Sequence, residues 1–189
     1  MANDLEVKIE TLQREIYNKK KELAELRKRV PREEVADYYL NSHDSTVKTL
    51  SSLFGDHDEL VLIHNMGKGC PYCTLWADGF NGVIQHLENR ASFVVVTPDP
   101  PEIQKAFAAS RGWKFRMLSA HGSEFTRDMG YQTSDGHNLP GVSTFFKDKD
   151  GKLYRIAHTE FGPGDDFCSV WHLFDLLPGD YDWNPKFQY

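Results

Sequence analysis

From about residue 60 onward, short apolar runs alternate with helical patterns, and this alternation leaves few folds open to the chain. Runs of Leu, Ile, Val and Phe predict buried strands, and apolar residues spaced three and four apart predict helices. In chain order the predicted elements are strand 60–63, helix 71–89, strand 93–97, helix 101–111, strands 142–146 and 153–158, and helix 167–176. A helix between two strands makes them parallel, and the Lys-Asp-Gly turn between the last two strands predicts a hairpin. The pattern therefore predicts an α/β fold with a mixed β-sheet flanked by helices.

The first 30 residues predict one long amphipathic helix that ends at Pro31. Its apolar residues recur at steps of four and three, and Lys19 occupies the one step that lacks an apolar residue. The stripe consists of Leu5, Ile9, Leu12, Ile16, Leu23, Leu26 and Val30. Such a stripe either packs on the domain that follows it or pairs with a second copy of the chain as a coiled coil. The second interpretation predicts a homodimer through the N-terminal helix.

The chain divides into the helix at 1–30, one domain at 31–180 and an aromatic tail at 181–189. A length of 189 residues with 40% hydrophobic and 26% charged residues is ordinary for a globular domain with its own core. Between the first helix and the alternating region, residues 32–40 are expected to form a short helix. The tail is expected to wrap the domain or to reach a neighbouring molecule.

Charge and hydropathy argue against several classes of function. There are 22 Lys and Arg against 28 Asp and Glu, a net charge of −6, which does not suit a nucleic-acid phosphate backbone. No apolar run reaches the roughly 18 residues that a membrane span needs, and the charged N-terminus is not typical of a secretion signal. We therefore expect a cytoplasmic protein whose partners are neither nucleic acids nor membranes. Three cysteines are also too few for a disulfide-stabilised fold.

The candidate chemistry lies at Cys70-Pro71-Tyr72-Cys73, directly after a predicted buried strand and at the start of a predicted helix. Pro71 suits the first helical position, so Cys70 becomes the N-cap residue. A thiolate there accepts backbone N–H groups and faces the positive end of the helix dipole, and Lys68 adds positive charge nearby. These effects lower the pKa of Cys70. Cys73 lies one turn further along the same face, within reach of a disulfide.

Two other interpretations of the cysteine pair stand beside this one. A zinc site needs two more ligands, for which the sequence offers Cys168 and a choice among eight histidines without paired ligand spacing. Two cysteines can also be inert members of a hydrophobic core. The position after a strand favours dithiol redox chemistry, and we expect neither a bound metal nor a cofactor.

Several motifs give the chain a resemblance to a known family. They are Trp76-Ala77-Asp78-Gly79-Phe80-Asn81-Gly82, His86-Leu87, Arg111-Gly112-Trp113-Lys114-Phe115 and Pro140-Gly141-Val142-Ser143. With the cysteine pair they resemble the thioredoxin-like family catalogued as domain of unknown function 899, over about residues 5 to 178. The resemblance implies a thioredoxin-like fold near the peroxiredoxin branch. The segment from Phe115 to Ser119 is similar to a peroxiredoxin segment between the middle elements of that fold.

The resemblance also suggests residues that support the site. Thioredoxins hold a buried acid six residues before the first cysteine, where this chain has His64, a candidate proton relay to Cys73. The other interpretation of His64 is a core histidine that is hydrogen-bonded to the backbone. Thioredoxins also carry a cis proline directly before the strand that faces the cysteines, and Pro140 is the candidate counterpart. Trp76 and Asp78 follow the cysteines within two turns, where they either support the site or serve in packing and surface charge.

Three functions compete at this stage. In a thiol–disulfide oxidoreductase, the leading interpretation, Cys70 attacks a protein or small-molecule disulfide and Cys73 resolves the mixed disulfide. In a thiol peroxidase Cys70 attacks a peroxide and Cys73 resolves the oxidised Cys70, although peroxiredoxins hold a Thr where this chain has Gly67. In the third, the domain is a non-catalytic scaffold whose N-terminal helix binds a partner.

Overall fold

The computed structural model describes residues 2–44, 46–179 and 183–188. Its helices are α1 Ala2–Arg29, α2 Pro71–Arg90, α3 Pro101–Arg111, α4 Phe125–Asp128 and α5 Ser169–Phe174, and Leu50–Phe54 form a 3₁₀-helix. Its strands are β1 Glu33–Val35, β2 Tyr39–Ser42, β3 Val47–Thr49, β4 Glu59–His64, β5 Ser92–Thr97, β6 Arg116–Ser119, β7 Gly141–Lys147 and β8 Leu153–Glu160.

The strands form one eight-stranded mixed sheet in the order β1-β8-β7-β4-β5-β6-β2-β3. The pairs β4–β5 and β5–β6 are parallel, and their connections run through α2 and α3. The β7–β8 pair is antiparallel and is joined by the expected turn. The prediction of an α/β fold with a mixed sheet is therefore confirmed, with β4 at the centre of the sheet and α2 leaving its carboxyl end.

The segment 32–40 is not the short helix expected from the sequence. Glu33–Val35 pair with β8 at the sheet edge, where Arg155 Nη2 and Glu33 Oε2 are 2.6 Å apart. Tyr39–Ser42 pair with β3 and β6, and Leu40 is fully buried. Pairing with strands that are distant in the sequence outweighs the local helical pattern here, as is common for short segments.

Two hydrophobic cores lie on the two faces of the sheet, because successive side chains of a strand point to opposite faces. Along β4, Leu60 and Leu62 belong to the first core and Ile63 to the second. The second core lies between the sheet and α2 and contains both cysteines of the pair. The 3₁₀-helix and α4 contribute to the first core through Leu50, Leu53, Phe54 and Phe125.

The stripe of α1 does not pack on the domain. Leu12 is 48% exposed and Ile16 is 54% exposed, and the other apolar members of the stripe are exposed as well. The interpretation in which the helix lays this stripe on its own domain is therefore wrong. One link from α1 to the domain is an ion pair in which Lys20 Nζ lies 2.6 Å from Asp166 Oδ1.

Candidate active site

The dithiol is held at the junction between β4 and α2. After His64 the chain turns through a short loop, and α2 begins at Pro71 with Cys70 as its N-cap residue. Cys70 has extended backbone angles, and its Sγ accepts a hydrogen bond from the backbone N–H of Cys73 at 3.0 Å. The predicted position of the cysteines is thus the one found, and both are free, buried thiols.

The two thiols have opposite electrostatic surroundings. The pKa of Cys70 is lowered to about 7, chiefly because the Cys73 side chain donates a hydrogen bond to it, with backbone N–H groups of Cys73 and Tyr72 adding to the effect against burial. The pKa of Cys73 is raised far above its ordinary value by that same hydrogen bond and by burial. Near neutral pH about half of the Cys70 thiols are therefore ionised, whereas Cys73 stays protonated.

Asn65 supports the dithiol and was not identified from the sequence. Its buried side-chain amide donates to the carbonyl of Cys73 at 3.3 Å, and its Oδ1 accepts from the backbone N–H of Gly67 at 2.8 Å. One side chain thereby ties the loop before Cys70 to the first turn of α2. A polar residue directly after a buried strand was the only sequence signal available for it.

Lys68 contributes its backbone rather than its charge to the fold of this loop. Its N–H donates to Asp99 Oδ2 at 2.7 Å, while the residue itself is exposed. Gly67 has a φ of 98°, and a Cβ there would lie 2.7 Å from the same Asp99 oxygen. The carboxylate of Asp99, at the end of β5, therefore fixes the loop because Gly67 leaves room for it.

His64 cannot act as the proposed proton relay to Cys73. Its ring stacks on Tyr131 with centroids 3.7 Å apart and on Phe125, both members of the first core. Cys73 belongs to the second core, so the sheet separates the two side chains. Burial holds the pKa of His64 well below its ordinary value, and its Nε2 lies 2.9 Å from Ser143 Oγ. His64 is a neutral core residue.

Trp76 and Asp78 have clear positions on α2. Trp76 is buried in the second core, and its Nε1 donates to Asp165 Oδ1 at 3.3 Å. Asp78 pairs with Arg111 and accepts from Trp113 Nε1 at 2.7 Å, so it ties α2 to the segment after α3. Trp76 thus packs in the same core as the cysteines. The contacts of Asp78 with Arg111 and Trp113 hold α2 in place instead.

Pro140 lies directly before β7, the antiparallel neighbour of β4. Gly141 is paired with His64, so Pro140 lies beside the start of the loop that leads to Cys70. No peptide bond among the described residues is cis, so the bond before Pro140 is trans and the thioredoxin-type cis proline is not found here. Its carbonyl accepts from the N–H of Phe161 at 2.9 Å, a bond that joins β7 to the end of β8.

The C-terminal part of the chain packs over the dithiol. The ring of Tyr72, between the two cysteines, lies 6.0 Å from that of Trp171, and its hydroxyl donates to Asn184 Oδ1. Trp183 in turn packs edge-on against Trp171 at 5.9 Å. We refer to Trp171, Trp183 and Asn184 as the C-terminal cover. Residues 181, 182 and 189 of the predicted tail lie outside the described residues, as does residue 180 before it.

Cys168 is a third buried thiol in the second core. Burial raises its pKa, so it is protonated near neutral pH. In the parts of the chain that the structure describes, no group of three or more His, Cys, Asp or Glu side chains is arranged to hold a metal ion. Among those same residues, no helix combines the length and apolarity that a membrane crossing requires.

Comparison with known proteins connects this site to a family. The model of the family described as "Bacterial protein of unknown function (DUF899)" matches residues 6–182. Among curated proteins, the chloroplastic peroxiredoxin Q of Populus jackii is 27% identical over 127 residues, 67% of this chain and 59% of that protein. That of Gentiana triflora is 29% identical over 94 residues, 49% of this chain and 43% of that protein. The chain thus spans about half the length of these curated relatives.

Solved structures give the same association. The crystal structure of peroxidoxin BcpB from Mycobacterium tuberculosis is 30% identical, with a TM-score of 0.53, and the match covers 65% of this chain and 80% of that one. The peroxiredoxin-like protein from Aquifex aeolicus is 19% identical, with a TM-score of 0.52, and the match covers 68% of this chain and 74% of that one. The second likeness concerns the fold alone. The fold is therefore thioredoxin-like, of the kind found in peroxiredoxins.

Proposed function

The chain belongs to the family described as bacterial protein of unknown function (DUF899), and from its dithiol we propose that it is a thiol peroxidase. The observation that carries the proposal is Cys70 at the start of α2, with a pKa of about 7 beside a protonated Cys73. A thiolate present at neutral pH is the nucleophile that peroxide reduction needs. Its similarity to peroxiredoxins supports a redox role for this site.

In the proposed first step, the Cys70 thiolate attacks one oxygen of the peroxide and the O–O bond breaks. The sulfur is oxidised by two electrons to a sulfenic acid, and the other oxygen leaves as an alkoxide or hydroxide that takes a proton from solvent. The Cys73 thiol then attacks the Cys70 sulfur, an S–S bond forms, and the Cys73 proton leaves with the hydroxyl as water. An external dithiol reduces this disulfide and is itself oxidised, which completes the cycle.

The burial of Cys70 favours a small substrate. Cys70 is only 9% exposed, and Tyr72 beside it is held by Trp171 and Asn184 of the C-terminal cover. A peroxide has to bring only its two oxygen atoms to the sulfur. A protein disulfide needs a broad open surface around the attacking thiol, and the C-terminal cover packs against Tyr72 beside that thiol.

Thiol–disulfide exchange is a second candidate, and the sequence around the dithiol favours it. Cys-Pro-Tyr-Cys is a dithiol arrangement suited to attack on a disulfide by Cys70 and release of the mixed disulfide by Cys73. Gly67 also occupies the position at which peroxiredoxins hold a threonine. Under this proposal the substrate is a small-molecule disulfide, or a protein disulfide that displaces the C-terminal cover.

Two assays on the same protein separate these candidates. One measures hydrogen peroxide consumption with dithiothreitol as electron donor, and the other measures reduction of insulin disulfides. For a peroxidase we expect peroxide consumption to fall to background in Cys70→Ser and to persist in Cys168→Ser, a matched control for loss of a buried thiol. Insulin reduction without peroxide consumption would favour the second candidate. Activity of the unmodified chain in neither assay would favour a non-catalytic interaction protein.

A further inference from the structure

The apolar stripe of α1 is uncovered along its whole length. Its exposed fractions run from 46% at Leu23 to 64% at Leu5, which are values for a helix without a packing partner. A row of this length is uncommon on a soluble surface unless something binds it. The spacing of four and three identifies it as a heptad seam, the pattern by which one helix pairs with another.

The residue types along the seam favour a two-stranded parallel arrangement. The a positions of the heptad are Ile9, Ile16, Leu23 and Val30, and the d positions are Leu5, Leu12, Lys19 and Leu26. β-branched residues at a with leucine at d favour parallel dimers, because their side chains fit the differing a and d layers of that geometry. Three of the four a positions and three of the four d positions follow this rule.

The charges that flank the seam are complementary when two copies lie parallel and in register. In that arrangement each g residue meets the e residue of the next heptad on the partner helix. Glu15 then faces the partner's Lys20, and Glu22 faces the partner's Arg27, so both copies form two attractive pairs. Lys8 faces an uncharged Gln13, which adds no repulsion.

The antiparallel arrangement that keeps all the apolar layers brings like charges together. It pairs g with g, so that Glu15 faces the partner's Glu22 and Lys8 faces the partner's Arg29. It also pairs e with e, where Glu6 and the partner's Arg27 form the one attractive combination. Like charges at these positions are destabilising. We therefore propose that a second copy of this chain covers the stripe, in a parallel, in-register, two-stranded coiled coil of α1.

Two residues oppose this pairing and make it testable. Lys19 and its copy share one layer of the parallel seam, where two ammonium groups repel, although Lys19 Nζ lies 2.8 Å from Glu22 Oε2 of its own helix. Lys20 forms an ion pair with Asp166 of the domain. In the dimer Lys20 must either leave Asp166 for Glu15 of the second copy or contact both carboxylates. We expect Lys19→Leu to lower the dimer dissociation constant about tenfold or more, because it completes the seam.

The first test is sedimentation equilibrium of the full chain under reducing conditions. We expect a concentration-dependent dimer that Ile16→Asp abolishes and Val7→Asp preserves. Val7 is the matched control because it is an apolar residue of the same helix, 56% exposed, at the outward f position of the heptad. A chain that sediments as a monomer at every concentration would overturn the proposal, and so would a dimer that survives Ile16→Asp.

The second test decides the direction of the helices. In the parallel dimer Glu22→Lys places a lysine opposite the partner's Arg27, so we expect weaker association, restored when Arg27→Glu is added. In the antiparallel dimer the same Glu22→Lys places a lysine opposite the partner's Glu15 and strengthens association. A rise in affinity for Glu22→Lys therefore contradicts the parallel arrangement. Circular dichroism of each variant checks that α1 remains helical.

Discussion

Cys70 and Cys73 carry the same functional group three residues apart, yet the fold gives them different reactivity. Cys70 lies at the helix terminus, where its sulfur accepts the N–H of Cys73 at 3.0 Å. Cys73 lies one turn inside α2 and is 2% exposed. The thiol of Cys73 is also the largest cause of the lowered Cys70 pKa, since its S–H donates to the Cys70 sulfur. The resolving residue therefore also activates the attacking one.

The first prediction tests this donation with two substitutions at the same position. Cys73→Ala removes the donor, so we expect the pKa of Cys70 to rise from about 7 toward its ordinary value of 9.0. Cys73→Ser keeps a hydroxyl donor, so we expect a smaller rise. The pH dependence of alkylation by iodoacetamide measures both values. A Cys70 pKa that stays at about 7 in both variants would mean that the Cys73 side chain does not activate Cys70.

The second prediction concerns the stability of the reduced protein. The pKa of Cys70 is lower in the folded state, about 7, than the ordinary thiol value of 9.0. The folded chain therefore loses this proton at a lower pH than the unfolded chain does. The free energy of unfolding should rise as the pH increases from about 7 to 9.0, and this gain should be lost when the pH falls below about 7. Denaturation of the reduced protein at several pH values measures this, and Cys70→Ser should remove the rise. A flat profile would contradict the lowered pKa.

The third prediction isolates the role of Asn65. Asn81 offers a matched control, because it makes the same two kinds of bond, donating to the Gly112 carbonyl at 3.3 Å and accepting from the Lys114 N–H at 2.8 Å. We expect both Asn→Ala variants to lose about 1–3 kcal/mol of stability, from buried or half-buried groups left unpaired. Only Asn65→Ala should also slow formation of the Cys70–Cys73 disulfide. Equal rates in the two variants would leave Asn65 a structural residue only.

At the residue scale the sequence predicts the dithiol well and its supports poorly. Pro71 and the spacing of the cysteines are local signals, and they were sufficient to predict the N-cap at Cys70. Of the two interpretations of His64, the relay is wrong and the core histidine is the one found, although it bonds to the Ser143 side chain rather than to the backbone. Its strand parity, shared with Leu60 and Leu62 of the first core, was the signal for that face. Asn65 was missed because its role depends on a loop that folds back on the helix.

At the scale of elements, residues of the motifs that gave the family resemblance make contacts that hold one element against another. Asp78 and Asn81 on α2 bind Arg111, Trp113 and the backbone around Gly112, and so tie α2 to the connection between α3 and β6. β6 itself was not predicted, because its run from Arg116 to Ser119 is only four residues long. A short strand of this kind is stabilised mainly by its pairing with β5, which local sequence does not encode.

The fourth prediction compares two glycines in different elements. Gly82 lies inside α2, and a Cβ added to it would have nothing within 4 Å, so Gly82→Ala should stabilise the protein by up to about 1 kcal/mol through helix propensity. At Gly141 a Cβ would overlap the Tyr131 ring and lie 2.5 Å from the Thr159 carbonyl oxygen. Gly141→Ala should therefore destabilise the protein by about 1–3 kcal/mol, the usual cost of overpacking a core. Urea denaturation measures both, and similar stabilities for the two variants would contradict the close packing at β7.

At the scale of the whole molecule, the two ends of the chain have different relations to the domain. The C-terminal cover packs on Tyr72, between the two cysteines, whereas α1 leaves its apolar stripe exposed. The sequence predicted the length of α1 but could not decide what covers its stripe. The position of the C-terminal cover depends on aromatic contacts over a long sequence separation, so it could not be predicted either.

The fifth prediction tests the C-terminal cover. Tyr72→Phe keeps the ring but removes its hydrogen bond to Asn184. The loss of one hydrogen bond, about 1 kcal/mol, should raise the open population about fivefold. Cys70 should then react faster with a bulky maleimide than in the unmodified chain, with a smaller change for iodoacetamide. Tyr154→Phe, which removes a tyrosine hydroxyl 3.3 Å from Asp148 on the distant hairpin, is the control and should change neither rate.

The roles of Cys70 as the attacking thiol and Cys73 as the resolving thiol can be tested directly in one experiment. The fully reduced chain is treated with one equivalent of hydrogen peroxide, alkylated, and digested for mass spectrometry. We expect a peptide in which Cys70 and Cys73 form a disulfide, with Cys168 recovered as an alkylated thiol. A dithiol that remains reduced under these conditions, or oxidation found first at Cys168, would contradict these roles.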